Sequence, residues 1–313
     1  MRRGYPFHTS SFHERSQWLR PRRAHSHHGF TLAELLVVIG VTGLLIGLLL
    51  PAVQQARETA RRGQCREHLR QVGIAQFNYE STHGTFPSGS TLGGWSFKTM
   101  LLPYLDFAND YQRIDFNNNI LRPQGYYSCY DESSRLTFSG FDLEGVQRPV
   151  FYCPSDPLSG QRASGASHGN FLGVGGDFEA LSPNSYPTVY PGQTVQTSAN
   201  GMLFLISRVR LGDVIDGSSN TLFVGERGIF QNPYGVSSPD LCGLGETESW
   251  QRFAPINPYL TTDSLRSGFW SHHPGGAHFL FADGHVQFIS YSMSPVTYHS
   301  MCTASGSEVI ADF

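Results

Sequence analysis

Residues 28–53 read HGFTLAELLVVIGVTGLLIGLLLPAV, and the interpretation of the whole chain starts from this stretch. About two dozen mostly apolar residues follow Gly29, which is enough for a helix to cross the hydrocarbon core of a bilayer. One carboxylate, Glu34, interrupts the run, and an unpaired charge at that depth costs at least about 2–3 kcal/mol. A helix that served only as an anchor would not need this charge, so the stretch predicts a span with a second role.

The composition of the whole chain favours a loop-rich body that contains strands. Charged residues make up 15% of the 313 residues, whereas the chain has 34 glycines and 18 prolines. Few charges together with many turn-forming residues are not typical of a helical bundle. The formal net charge of −3 argues against nucleic acid as a partner.

The N-terminal stretch resembles the type IV prepilin class, which comprises pilins and the pseudopilins of type II secretion systems. Gly29 matches the last leader residue of that class, and Phe30 matches the first mature residue. Glu34 is then the fifth mature residue, and Pro51 matches a proline that pilin helices also carry. The resemblance implies that a prepilin peptidase cleaves after Gly29 and methylates the amino group of Phe30.

A carboxylate inside a bilayer seeks a cation, and the new amino terminus at Phe30 is a candidate for Glu34. The partner amino group can belong to the same chain or to a neighbour, and the prepilin resemblance implies pairing between adjacent subunits during assembly. Gly40, Gly43 and Gly47 have the three- and four-residue spacing that allows two helices to approach closely. Glycines of this kind are also simply tolerated in membrane spans.

The leader, residues 1–29, is basic and lacks the apolar region of a signal peptide. Basic residues before a span favour a cytoplasmic N-terminus, but a second group of arginines follows the span closely, so charge alone leaves the orientation open. This group consists of Arg57, Arg61, Arg62, Arg66 and Arg70. The prepilin resemblance implies that the leader is inside and the body is periplasmic or extracellular, with the span in the cytoplasmic (inner) membrane. A disordered basic tail on an ordinary one-span protein is the plainer alternative.

One long helix is predicted over residues 30–83, with residues 30–53 in the membrane. After the span the chain is polar except for one apolar stripe at helical spacing, formed by Cys65, Leu69, Val72 and Tyr79. Pro51 is predicted to kink the helix without ending it. The Gly-Thr-Phe-Pro sequence at 84–87 marks the predicted end.

Several stretches of the chain resemble the DUF1559 family, a group of prepilin-like proteins abundant in planctomycete bacteria. They are ARRGQC at 60–65, LRQVG at 69–73, FNY at 77–79, GTFP at 84–87, FYCPSD at 151–156 and DVIDGSSNTLFVGE at 213–226. Members end in a His-x9-Asp-Gly segment, which His273 and Asp283-Gly284 match. The resemblance implies a class and a location but no particular activity.

The predicted fold class is α+β: a pilin-like, long N-terminal transmembrane helix packed on a loop-rich, mainly antiparallel β body at residues 84–313. A strand is predicted at 221–226 and a C-terminal hairpin at 278–289, where Asp283-Gly284 is a preferred type I′ turn pair. A two-residue loop pairs 281 with 286 and 279 with 288. This register predicts one apolar face made of Phe279, Phe281, Val286 and Phe288. We expect the hairpin to dock on the long helix or to complete the sheet that covers it.

The cysteines do not indicate a zinc site. Cys65, Cys129, Cys153, Cys242 and Cys302 have no Cys-x-x-Cys spacing. An exported body accommodates one or two disulfides, and the odd count leaves at least one thiol. Among the histidines near the hairpin, His278 and His285 are about 10–13 Å apart, too far to share one ion. His272 or His273 could fold back towards either one, so a transition-metal site stays an open alternative. We expect His273 to form a hydrogen bond at the hairpin entrance.

Calcium is a separate candidate, since some type II major pseudopilins hold calcium in a C-terminal loop. Oxygen donors with suggestive spacing are Asp213, Asp216, Ser218 and Asn220. They lack the Gly and Glu positions of an EF-hand loop, and ordinary turns use the same residue types. Apart from calcium at this loop, the sequence predicts no cofactor.

The sequence predicts a protein that is not an enzyme. Residues 165–169 match the G-x-S-x-G pattern around Ser167, but a nucleophile elbow needs a strand before it and a helix after it, and neither is indicated.

The most consistent interpretation is a prepilin-like, membrane-anchored subunit of a type II secretion pseudopilus or a type IV pilus-like assembly. Its partners would be prepilin peptidase, other pilin-like subunits and the membrane. The alternative is a solitary membrane-anchored binding module that uses the same N-terminus for export.

Overall fold

The computed structural model describes residues 31–89, 91, 95–112, 114, 116, 148–159, 162–163, 166–167, 169–176, 200–204, 206–228, 230–232, 235–237, 247–249 and 269–306. The leader at 1–29 lies outside the described residues, as do the predicted processing residues Gly29 and Phe30. Cys129 and Cys242 also lie outside them.

Four α-helices and nine strands are described. The helices are α1 (Leu32–His83), α2 (Phe97–Leu101), α3 (Ala108–Gln112) and α4 (Pro295–Cys302). The strands are β1 (Arg162–Ala163), β2 (Ala166–Ser167), β3 (Phe171–Gly176), β4 (Leu222–Glu226), β5 (Phe230–Asn232), β6 (Gly235–Ser237), β7 (Thr247–Ser249), β8 (Gly276–Phe281) and β9 (Val286–Ser290). Short 3-10 turns lie at Leu102–Tyr104, Pro149–Phe151 and Leu211–Asp213. The predicted α+β class with a long N-terminal helix is confirmed.

The helix α1 is 52 residues long and continues through Pro51. It ends at Gly84, whose positive φ of 74° places it in the left-handed region, and its N–H bonds back to the carbonyl of Glu80 at 2.7 Å. This is the usual way in which a glycine stops a helix and satisfies an orphan carbonyl. The chain divides after Ala52 into two compact units, so the apolar and polar parts of α1 belong to different units.

In the first unit, the apolar part of α1 is exposed on every side. Its large hydrophobic side chains between Leu32 and Leu50 are 51–80% exposed. By length and composition, this is the one helix in the described part of the chain that could cross a membrane. A soluble domain rarely exposes a continuous apolar surface of this kind.

The second unit is built around a five-stranded sheet in the order β7-β3-β4-β8-β9. Neighbouring strands are antiparallel except for β7, which pairs in parallel with β3 at the sheet edge. Two short antiparallel hairpins, β1-β2 and β5-β6, stand apart from this sheet. The predicted strand at 221–226 corresponds to β4.

The sheet is covered on both faces, which gives the second unit two apolar clusters. One cluster contains Leu69 and Val72 of the predicted α1 stripe, both fully buried, together with Leu280 of β8. A side chain at Gly73 would collide with Leu280, since its Cβ would lie 2.8 Å from Leu280 Cδ1. The other cluster joins Phe279 of β8 to Tyr298 of α4. Both sets of alternate side chains on β8 are therefore buried.

The C-terminal hairpin is present, but the predicted register is wrong by one residue. Leu280 pairs with Val286 and His278 with Phe288, whereas Phe279 pairs with Gln287. The loop holds three residues rather than two, because the Phe281 N–H bonds to the His285 carbonyl and Gly284 has a φ of 92°. The predicted single face of Phe279, Phe281, Val286 and Phe288 is consequently split between the two faces of the sheet. Alternation could not reveal this, because β8 is apolar on both sides.

Candidate functional site

Four residues from separate parts of the second unit meet in one buried cluster: Cys65, Cys153, Glu226 and His273. None is more than 3% exposed. Their side-chain sulfur, nitrogen and oxygen atoms all lie within 4.8 Å of one another. We refer to these four residues as the core cluster.

Two members of the core cluster form a disulfide that links α1 to the segment after the 3-10 turn at Pro149–Phe151. Cys65 and Cys153 are bonded, with their Cα atoms 5.1 Å apart and a sequence separation of 88. Cys65 belongs to the apolar stripe of α1 and is fully buried. Cys302 is a free, buried thiol on α4.

His273 lies between two carboxylates and also contacts the disulfide. Its Nδ1 is 2.7 Å from Glu58 Oε1, on the first helical turns after the apolar span. Its Nε2 faces the opposite way, at 3.4 Å from Glu226 Oε1 and 3.4 Å from Cys153 Sγ. The predicted hydrogen bond of His273 at the hairpin entrance is confirmed, and its acceptor is on α1.

The backbone around β4 and the segment before β8 brings His273 to Glu226. The Trp270 N–H bonds to the Glu226 carbonyl, and the Gly228 N–H bonds to the Trp270 carbonyl. Residues 271–272 follow, and they place His273 next to Glu226 at the end of β4. The His273 N–H bonds to Ser271 Oγ at 3.0 Å, which holds this turn.

His278 holds the Glu226 side chain by hydrogen bonds to one of the two carboxylate oxygens. Its Oε2 accepts hydrogen bonds from the His278 backbone N–H at 2.7 Å and from the His278 Nδ1 at 3.1 Å. Its Oε1 is buried and accepts no hydrogen bond in the described part of the chain. This oxygen faces the core cluster, where His273 Nε2 lies 3.4 Å away as an ion-pair partner.

Glu58 is held by the polar face of α1 as well as by His273. Arg61 Nη2 donates to Glu58 Oε2 at 2.8 Å, and Ser155 Oγ donates to the same oxygen at 3.1 Å. Arg62 Nε lies 3.6 Å from Glu58 Oε1. The Arg62 Nη2 also donates to the Pro274 carbonyl at 2.6 Å, which ties α1 to the residue after His273.

These contacts favour charged forms of the side chains. Burial alone would raise the pKa of Glu226, but its interactions with His273 and His278 lower that pKa below its ordinary value. Burial also opposes the charge of Glu58. Hydrogen bonds from His273, Arg61 and Ser155 nevertheless lower the pKa of this carboxyl. Burial opposes the charge of His273 too, yet the two carboxylates raise the pKa of its imidazole. With the disulfide closed, the geometry suits an imidazolium between two carboxylates.

Asn170, the residue before β3, forms hydrogen bonds with the segment that contains Cys153. Its Oδ1 accepts the Cys153 N–H at 2.9 Å, and its Nδ2 donates to Asp156 Oδ2 at 2.6 Å. The same Nδ2 is 3.1 Å from the Arg227 carbonyl, next to Glu226. The side chain therefore connects both halves of the core cluster.

The two parts of the His-x9-Asp-Gly segment lie at opposite ends of β8. His273 enters the core cluster, whereas Asp283 and Gly284 form the hairpin turn. Asp283 Oδ1 accepts the His285 N–H at 3.0 Å and contacts the His285 Nδ1 at 2.6 Å. A Cβ on Gly284 would lie 3.0 Å from the Phe77 ring on α1, so the turn needs glycine for its φ and for this approach.

Glu34 caps its own helix. Its Oε2 accepts hydrogen bonds from the Thr31 N–H and the Thr31 Oγ1, each at 2.9 Å, and the Glu34 N–H bonds to Thr31 Oγ1 at 3.2 Å. This reciprocal pair is a capping box, and the Thr-x-x-Glu spacing could have indicated it. Pairing of Glu34 with the amino group of Phe30 stays a prediction, as does a kink at Pro51.

The calcium candidates make hydrogen bonds to different backbone groups. Asp213 Oδ2 accepts the Arg210 N–H at 2.8 Å, and Asp216 Oδ2 accepts the Gly306 N–H at 2.6 Å. Ser218 contributes its carbonyl to the Asp283 N–H, and the Asn220 N–H bonds to the Gly217 carbonyl. These bonds account for the residues as turn formers, and calcium binding there stays a prediction.

Sequence reasoning missed Glu58, Glu226 and the pairing of Cys65 with Cys153. One signal was present: three of the six stretches quoted for the family resemblance contribute a residue of the core cluster. The stretch at 60–65 ends in Cys65, that at 151–156 contains Cys153, and that at 213–226 ends in Glu226. Ser167 ends the two-residue strand β2, whose partner β1 precedes it.

Comparison with known proteins identifies the family of the chain. Residues 54–295 match the family described as protein of unknown function (DUF1559), and residues 25–50 match the prokaryotic N-terminal methylation motif. No curated protein and no solved structure matches the chain. The family match covers most of the chain, including all four residues of the core cluster. The chain therefore belongs to the DUF1559 family and carries a prepilin-type methylation motif at its N-terminus.

Proposed function

We propose that this protein is a structural, non-enzymatic subunit of a type II secretion pseudopilus or a type IV pilus-like assembly. In this role prepilin peptidase cleaves after Gly29 and methylates Phe30. The observation that supports the proposal is the overlap of the methylation motif at 25–50 with the wholly exposed apolar part of α1. An N-terminus of this kind is a substrate for processing and a surface for helix packing.

The apolar part of α1 needs a partner all around its circumference. Lipid satisfies this need before assembly, and neighbouring helices satisfy it afterwards. No described residue comes within 4 Å of the Cβ positions of Gly40, Gly43 and Gly47, so this side of the helix is open to a second helix. Small residues at this spacing permit the close backbone contact that drives helix association in membranes.

Glu34 supplies the polar contact that selects the partner. Both Thr31 hydrogen bonds end on Oε2, which leaves Oε1 to accept a bond from an amino group. The amino terminus of Phe30 on an adjacent subunit fits this role, because a charge within the bilayer is stable only when paired. The second unit is then displayed on the periplasmic or extracellular side of the inner membrane.

The first test is mass spectrometry of the N-terminus of the membrane-associated protein from its native cells. We expect N-methyl-Phe30 as the first residue in the parent protein. A Gly29→Ala variant should keep the leader and should not assemble. An intact Met1 terminus in the parent protein would contradict the processing step.

The second test separates the charge of Glu34 from its capping function. Glutamine also closes a capping box, so Glu34→Gln keeps the N-terminal cap but removes the charge. We expect this variant to be cleaved, methylated and retained in the membrane, yet to be absent from cross-linked assemblies. Assembly at the parental level would show that the charge is not the partner contact.

The alternative function is a solitary membrane-anchored binding module. A pocket of about 670 Å³ in the second unit favours it, since this volume suits a small ligand. Its lining includes Tyr79, Trp95, Phe116 and Arg208. A solitary module should keep its location and its ligand in Glu34→Gln, and cross-linking of the parent protein should give no assemblies.

A further inference from the structure

The core cluster has the donor set of a metal site as well as a disulfide. Two sulfurs, one imidazole nitrogen and one carboxylate oxygen converge within 4.8 Å of one another. A tetrahedral zinc ion with bonds of about 2.0–2.3 Å requires ligand atoms roughly 3.3–3.8 Å apart. His273 Nε2 already lies 3.4 Å from Cys153 Sγ and 3.4 Å from Glu226 Oε1.

We propose that the dithiol form of Cys65 and Cys153, together with His273 and Glu226, binds one Zn²⁺ ion. The same four residues would then hold either a disulfide or a zinc ion, but never both. The proposal is independent of whether the chain assembles. The Cys-x-x-Cys spacing that the sequence lacks is a feature of short zinc motifs, and here the fold brings distant cysteines together.

The contacts outside the core cluster orient its two non-sulfur ligands toward the ion. Glu58 accepts a hydrogen bond from His273 Nδ1 at 2.7 Å, which leaves the lone pair of Nε2 directed at the sulfurs. His278 occupies Glu226 Oε2 and leaves Oε1 directed at His273. Carboxylate–histidine–metal arrangements of this kind fix the ring and strengthen the ligand.

Glu226 Oε1 has the ion-pair contact with His273 at 3.4 Å but no hydrogen bond among the described residues, which is a second sign that the core cluster can accept a ligand. Glu226 is 1% exposed, and its Oε1 accepts no hydrogen bond in the described part of the chain. A buried carboxylate oxygen without a donor is costly, and a cation within bonding distance would remove that cost. Such an atom in a folded protein calls for an explanation, and zinc supplies one.

The donor types and their burial favour zinc over the hard divalent ions. Two thiolates exclude calcium and magnesium, which take oxygen ligands. Four protein ligands without water access match a closed structural zinc site rather than a catalytic one. Arg61 and Arg62 lie beside Glu58 and offset its charge, so the site does not accumulate an unbalanced negative charge there.

The exchange between the two forms is balanced. Zinc loading of the dithiol releases the two thiol protons to solvent, together with the Nε2 proton of His273 when the ring is an imidazolium, and forms two Zn–S bonds, one Zn–N bond and one Zn–O bond. A small-molecule disulfide then accepts two electrons from the two thiolates, the Cys65–Cys153 bond forms, and Zn²⁺ is released. The small disulfide takes up two protons and leaves as two thiols, and His273 Nε2, freed from zinc, takes up a proton from solvent.

The test uses the full chain in detergent, with Cys129→Ser, Cys242→Ser and Cys302→Ala so that no other thiol binds metal. The protein is reduced with a phosphine without air, loaded with zinc and desalted. We expect one zinc per chain, and X-ray absorption with two sulfur and two nitrogen or oxygen neighbours. The same protein reoxidised with a small disulfide should release the zinc.

Variants separate this site from adventitious binding. Cys65→Ser with Cys153→Ser should abolish zinc binding, and His273→Gln or Glu226→Gln should weaken it at least tenfold. Glu58→Gln should weaken it about 10–100-fold through the lost contact to Nδ1. His285→Gln, on the exposed hairpin turn, is the matched control and should bind zinc like the parent.

The proposal does not depend on the variants folding, because reduction and reoxidation compare one polypeptide with itself. Absence of zinc from the reduced parent would overturn it. Equal zinc content in the reduced and oxidised forms, or a zinc environment without sulfur, would also overturn it.

Discussion

Glu226 is the side chain on which most of the core cluster depends. It accepts two hydrogen bonds from His278 and lies 3.4 Å from His273, all away from water. Removing one member of a buried charged network costs about 3–5 kcal/mol, since the remaining members stay desolvated. We expect Glu226→Gln to lower the free energy of unfolding of the disulfide form by about 3 kcal/mol, measured by urea denaturation.

The matched control for that variant is Glu67→Gln on the exposed face of α1. Glu67 pairs with Arg70 at 2.9 Å, but both side chains are about half exposed. Exposed pairs contribute little, so the urea midpoint should not change. Equal effects of the two variants would contradict the assignment of Glu226 as a central residue of the second unit.

Cys302 should be chemically inert in the folded protein. The thiol is fully buried on α4, and burial raises its pKa to about 12 although Tyr298 opposes the shift. Because the thiolate is the reactive form, almost none is present below pH 9. We expect iodoacetamide at pH 8 to leave Cys302 unmodified in the native protein and to modify it in urea, as measured by peptide mass spectrometry. Rapid labelling of native Cys302 would contradict its burial.

At the level of elements, local sequence patterns predicted the long helix and the hairpin turn, because both depend mainly on nearby residues. The apolar run, the stripe through Cys65, Leu69 and Val72, and the glycine at 84 were sufficient to predict a helix ending at His83. The hairpin turn was predicted from Asp283-Gly284, but its register was not. Register follows from which face is apolar, and β8 packs against α1 on one face and α4 on the other.

The β8-β9 hairpin depends on a glycine at its open end. A Cβ on Gly276 would collide with the backbone carbonyl of Ile289, which cannot move without breaking the strand pairing. We expect Gly276→Ala to destabilise the second unit by more than about 2 kcal/mol, measured as the shift of the thermal midpoint. Gly212→Ala is the control, since nothing lies within 4 Å of its Cβ position. A similar midpoint for both variants would contradict the described pairing.

At the scale of the whole molecule, the core cluster was beyond the reach of sequence patterns. Its members come from α1, the segment after Pro149–Phe151, the end of β4 and the approach to β8, and no fixed spacing relates them. The fold alone makes Cys65 and Cys153 neighbours across 88 residues. The N-terminal methylation motif, in contrast, is a local signal and was readable from Gly29, Phe30 and Glu34.

The disulfide should contribute strongly to stability because it closes a long loop. Linking residues 88 apart restricts the unfolded chain by up to about 4–5 kcal/mol, and removal of such bonds typically costs about 2–5 kcal/mol. We expect Cys65→Ala with Cys153→Ala to lower the free energy of unfolding within this range. An unchanged urea midpoint would show that the two cysteines are not bonded in the native protein.

Zinc should restore part of that stability to the reduced wild-type protein if the core cluster binds it. A ligand that binds only the folded state at 100 times its dissociation constant adds about 2.7 kcal/mol. We expect reduced protein to unfold at lower urea than oxidised protein when a chelator is present, and to regain part of the difference when zinc replaces the chelator. The Cys65→Ala with Cys153→Ala protein should not respond to zinc, whereas His285→Gln should respond like the wild type. Because the disulfide and the ion use the same sulfurs, zinc should not change the urea midpoint of the oxidised protein. An equal shift of the midpoint in both redox forms would mean that zinc binds outside the core cluster.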